Sequence, residues 1–101
     1  MMSLLRSYMC LTRGLLVRFY GSLDFSLRFL LHFRSQSALG YPFDKVLVEE
    51  PWRTYEALVR LVGGHNAEVL LGMLYRWLNE NGCSMDPETL RKYLTTREMW
   101  G

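Results

Sequence analysis

Four pairs of chain-breaking residues limit most strongly how this sequence can fold: Glu50-Pro51, Gly63-Gly64, Asn81-Gly82 and Asp86-Pro87. They set off three short runs with helical periodicity, two between the pairs and one after the last. Pro51 suits the first turn of a helix, where its missing N–H leaves no bond unmade, and the acids before it favour the positive end of the helix dipole. Trp52, Tyr55, Leu58, Val59 and Val62 then recur on one face, opposite Arg53, Glu56 and Arg60. Gly63-Gly64 ends this run by supplying a backbone conformation that other residues resist. Asn66 is the expected cap of a second helix, whose first apolar row is Ala67, Leu70, Leu71, Leu74 and Leu78. A second row, Val69, Met73 and Trp77, lies beside it, so this helix is apolar over most of its circumference and needs cover on more than one side. Asn81-Gly82 closes it. Asp86 caps a third helix, Pro87 takes its first position, and Leu90, Tyr93 and Leu94 dock it. The expectation is a mainly α fold, with a three-helix unit over residues 50–94 inside a small helical domain at 41–101.

The first forty residues form a separate, uncertain segment that admits three readings. Leu23, Phe25, Leu27, Phe29, Leu31 and Phe33 alternate with Asp24, Ser26, Arg28, His32 and Arg34, broken only at Leu30. Alternation of period two places the polar residues on one face of a strand. The preceding run Leu15–Tyr20 ends at Gly21-Ser22, a connection suited to a two-residue hairpin. This first reading makes the fold α+β, although the hairpin's faces sort imperfectly, since Phe19 would oppose Asp24 and Leu15 would oppose Arg28. The second reading is a targeting segment removed after organelle import. Residues 1–23 hold no acid, and Leu4, Leu5, Tyr8, Met9, Leu15, Leu16 and Phe19 fit one helical stripe. In the third, the segment is a spurious extension with little part in the native protein. Farther on, Val46-Leu47-Val48 reads as a short strand or extended lead-in.

Charge divides at the same place. Residues 1–43 carry five arginines against Asp24 alone, a net of +4, whereas residues 44–101 carry seven basic and nine acidic side chains, a net of −2. The two parts therefore face different surroundings or partners. Cys10 and Cys83 are too few and too far apart for a disulfide scaffold or a paired-ligand metal site, and both are expected to stay reduced in an intracellular, cytoplasmic protein. No metal or cofactor signature is present. His32 and His65 have no carboxylate or cysteine at ligand spacing, and Cys83 has no evident base to activate it. Arginines interrupt every apolar stretch long enough to span a membrane.

Three functions follow as expectations. The first is a non-enzymatic protein-interaction or self-association module, with a protein partner or a second copy covering Val69, Met73, Trp77 and the terminal Trp100. Trp100 can also fold back onto the core. The second is a DNA-binding protein: residues 74–94 have the outline of a helix-turn-helix, with Thr89, Arg91, Lys92 and Arg97 as candidate contacts. Its departures are specific. Glu88 and Arg91 occupy the positions that should dock, Leu78 stands where a small residue belongs, and this half of the chain is net acidic. The third is an organelle-imported subunit with a removable N-terminus.

Overall fold

The computed structural model describes residues 10–100, and within them six α-helices and two 3-10 turns account for most of the chain. No strand occurs among the described residues. The hairpin is replaced by two helices, α1 (Arg13–Ser22) and α2 (Phe25–Leu39), so Gly21-Ser22 ends a helix instead of turning a ribbon. Local caps decide this. The Thr12 hydroxyl accepts from the Leu15 N–H at 3.1 Å, and the Asp24 carboxylate accepts from the Ser26 N–H at 3.0 Å. Each satisfies a backbone donor that has no partner inside its helix. At the far end of α2, Gly40 has φ 86°, and its N–H reaches the carbonyls of Ser35 and Gln36. That left-handed conformation closes a helix and comes at little cost only to glycine. Leu4, Leu5, Tyr8 and Met9 of the expected presequence stripe lie outside the described residues.

Val46-Leu47-Val48 is likewise helical, in α3 (Phe43–Glu49), and buries Phe43, Val46 and Leu47. Pro51 opens a 3-10 turn (Pro51–Arg53) that leads into α4 (Thr54–Val62). The buried face of α4 is rotated from the expected one. Thr54, Ala57, Leu58 and Leu61 point inward, Tyr55 and Val62 are half-buried, and Val59 is exposed. Gly63, at φ 88°, separates α4 from α5 (Gly64–Glu80) and serves as the N-cap of α5. Asn66 therefore does not cap: it sits inside the first turn, and its Nδ2 donates to the Val62 carbonyl at 2.9 Å. The first row of α5 is buried as expected, and Met73 and Trp77 are half-buried. After the turn, Asp86 caps α6 (Pro87–Tyr93) by accepting from the Thr89 N–H, and Leu90 and Tyr93 are buried. The Tyr55 N–H donates to the Leu94 carbonyl at 3.2 Å and joins the start of α4 to the end of α6.

One core runs through both parts of the chain. Leu11, Leu16, Leu23 and Leu31 join Phe43, Leu58, Leu70, Leu74, Leu78, Leu90 and Leu94 in a single cluster. Leu16 and Leu31 are each 1% exposed. Burial of a leucine contributes about 1.5–3 kcal/mol, so α1 and α2 share in the stability of the whole. The cover that α5 needs comes in part from α1: the Phe19 ring meets Trp77 edge-on at 5.8 Å, and the Arg18 guanidinium lies 5.7 Å from the same ring.

The cysteines also depart from expectation. Cys10 and Cys83 form a disulfide across 73 residues, their Cα atoms 5.5 Å apart. Cys83 follows the α5 turn, where its N–H donates to the Leu78 carbonyl at 2.9 Å, and it is 1% exposed. The packing of Leu11 and α1 into the core brings Cys10 to it, a tertiary effect that residue spacing does not carry. With the two thiols joined, an intracellular location no longer follows from the cysteines.

Candidate docking face

α2 packs against α3 and α4, and Leu31 and Ser35 are its buried residues. Ser35 is fully buried, and its hydroxyl donates to the Tyr41 carbonyl at 2.6 Å. With these two facing inward, the 3.6-residue repeat turns Phe25, Phe29 and Phe33 outward. They are 68%, 53% and 52% exposed, and Leu30 beside them is 36% exposed. The rings contact in series, with centroids 6.0 Å apart for Phe25–Phe29 and 4.4 Å for Phe29–Phe33. His32 meets Phe33 edge-on at 5.7 Å, and the Arg28 guanidinium lies 5.8 Å from the Phe25 ring while its Nε donates to the Leu23 carbonyl. Single exposed apolar residues are ordinary on a protein surface, but a continuous aromatic row is not.

The row ends at a groove between α2 and α4 of about 300 Å³, lined by Phe33, Arg34, Ser37, Ala38, Arg60 and Leu61. Two arginines clasp it reciprocally. Arg34 on α2 donates to the Leu61 carbonyl on α4 at 2.9 Å, and Arg60 on α4 donates to the Ala38 carbonyl on α2 at 3.0 Å. A guanidinium carries five N–H donors, so each arginine retains donors for an anion. No acidic side chain lines the groove, and α2 contains none from Phe25 to Leu39.

The residues singled out from the sequence lie elsewhere and do not share one surface. Val69 is 48% exposed on α5. Met73 and Trp77 line a shallow surface hollow with Phe19 and Leu23, where α1 already covers part of them. Trp100 folds back: its Nε1 donates to the Tyr93 carbonyl at 2.6 Å, and its ring meets Tyr93 edge-on at 5.4 Å. Of the candidate DNA contacts, Thr89 is engaged by the Asp86 cap through both its N–H and its hydroxyl. Arg91 makes a bidentate pair with Glu68 at 2.9 and 2.7 Å and lies over the Tyr55 ring. Tyr55 also donates to Glu68, and these two partners, Arg91 first, hold the Glu68 carboxyl at about 2, well below the usual carboxylate range. Arg97 stacks over Trp52 at 5.3 Å, and Lys92 is exposed.

Two polar features remain inside the protein. The Thr54 hydroxyl is buried with no hydrogen-bond partner among the described residues and borders a core cavity of about 30 Å³, lined also by Tyr20 and by apolar side chains such as Leu16, Leu31 and Leu74. The Tyr20 hydroxyl donates to the Arg28 carbonyl at 3.2 Å, and burial, aided by Asp44, pushes its titration upward. Among the described residues, no group of three or more His, Cys, Asp or Glu side chains could hold a metal ion, and no helix is long and apolar enough to cross a membrane.

The outward face of the phenylalanine row is hidden in the sequence because its spacing is ambiguous. Residues four apart share a face on a strand and fall close to one stripe on a helix. Asp24 as a cap and Gly40 as a stop would have resolved it. Compared with family models, curated proteins and solved structures, the chain finds no match in any of the three.

Proposed function

We propose that the protein is a non-enzymatic association module whose working surface is the outer face of α2. The observation that supports this reading is the exposed, contiguous Phe25–Phe29–Phe33 row running into the Arg34–Arg60 groove. Rings held outward on a well-capped helix cost no reorganisation when a partner covers them. The association surface expected on α5 draws less support, because α1 occupies part of it and Trp100 is engaged by Tyr93. DNA binding also draws less support, because Thr89 and Arg91 are spent within the fold.

The test is fractionation of extracts from cells expressing the full chain, by gel filtration and by sedimentation. The wild type should run with material larger than its own 11.9 kDa, and Phe29→Ser should release it. Wild type and variant both running as free monomers would defeat the proposal.

A further inference from the structure

The geometry points to one occupant for the α2 face: the surface of an anionic phospholipid membrane, with headgroup phosphates at Arg34 and Arg60 and the phenylalanine row at the acyl boundary. This rests on the reading of α2 as the docking surface and names what docks there.

Two observations select a lipid surface. The first is charge. Arg28 lies on one side of the row and Arg34 on the other, Arg60 adds a third cation at the groove, and α2 offers no carboxylate in return. A second copy laid face to face would set three arginines near three with only the two Asp24 caps to offset them, so an occupant that carries negative charge fits the face better. The second is area. At the exposures of the three phenylalanines and Leu30, the patch amounts to about 400 Å² of apolar surface, half of the ~800 Å² that one partner contributes to a stable protein interface. A bilayer needs no matching shape. A helix of 15 residues is about 22 Å long and can lie in the interface plane with one apolar face inserted and arginines at headgroup level. Arginine binds a phosphate with two parallel donors, and both clasp arginines keep donors for this.

The experiment is co-sedimentation of the intact, oxidised chain with vesicles of phosphatidylcholine alone and of phosphatidylcholine with one third phosphatidylserine. Binding should be at least about tenfold tighter to the anionic vesicles and should weaken with added salt. Phe29→Ser should lose about tenfold or more on anionic vesicles. Arg34→Gln with Arg60→Gln should lose about thirtyfold there. If the double variant unfolds for want of its clasp, Phe29→Ser, altered only at an exposed ring, decides the matter with its circular dichroism unchanged. Equal or absent binding to the two vesicle types, or Phe29→Ser binding like wild type, overturns the proposal. Absent vesicle binding together with a lipid-free dimer or protein complex that Phe29→Ser disrupts also overturns it, while the association reading stands. Loss of both takes down that reading as well.

Discussion

Opening the Cys10–Cys83 bond should cost this domain about 4 kcal/mol. The bond closes a loop of 73 residues, and a cross-link of that span withdraws loop-closure entropy from the unfolded chain that is worth about 4 kcal/mol at room temperature. Small domains are stable by about 5–15 kcal/mol in total, so the loss is a large fraction. Reduction and Cys10→Ala both remove the cross-link, but they differ in what remains. In Cys10→Ala the Cys83 thiol stays in the core as a small apolar group, so the two perturbations should agree within about 1 kcal/mol. The assay is equilibrium urea unfolding, followed by tryptophan fluorescence and far-ultraviolet circular dichroism, for the oxidised, reduced and Cys10→Ala proteins. The midpoint should fall, and the denaturant slope should rise because the uncross-linked chain exposes more surface when unfolded. The α1 signal should not be lost first, since Leu11 and Leu16 remain in the core. A stability change below about 1 kcal/mol would refute the reasoning, because the cross-link then constrains nothing the unfolded chain would explore. Two titratable thiols in the native, unreduced protein would refute its premise.

Three further outcomes test the packing and the electrostatics. Thr54→Val replaces an unpartnered buried hydroxyl with a methyl group of similar shape and should stabilise the protein by about 1 kcal/mol in the same urea assay; destabilisation would mean the hydroxyl has a partner. Leu31→Ala should cost about 3 kcal/mol while Phe29→Ser stays within about 0.5 kcal/mol, whereas a strand would put both residues on one face and make the costs similar. Glu68 should titrate near 2 by carbon-detected NMR and move up towards the ordinary carboxylate range in Arg91→Gln, where only the Tyr55 hydroxyl still holds it down. Its folded value lies below its ordinary 4.5, so its contribution to stability is present above about pH 4.5 and is lost as pH falls towards 2. An unshifted Glu68 in the wild type would show the Arg91 pair to be open in solution.

What the sequence alone determined was local. Pro51, Gly63, Gly82 and the Asp86-Pro87 pair punctuate the second half because each acts through backbone geometry or a bond to the next turn, within a few residues. The buried row of α5 was legible for a related reason: five residues at helical spacing leave one face to bury. Tertiary structure decided the rest. Residues 23–33 stand between the two: apolar spacing does not separate strand from helix, since positions four apart satisfy both, and the local caps at Asp24 and Gly40 favour the helix, but only packing against α3 and α4 decides that Leu31 and Ser35 are its buried side. The inward face of α4 turned on its neighbours, because Val59 and Leu61 are equally apolar and only the packing of α5 and α2 separates them. The docking face is a remainder of the same choice: once Leu31 faces in, Phe25, Phe29 and Phe33 have nowhere to go but out. The disulfide is the extreme case, since two cysteines 73 residues apart are brought together by the packing of Leu11 and α1 on the core, and no local property of either residue encodes that meeting.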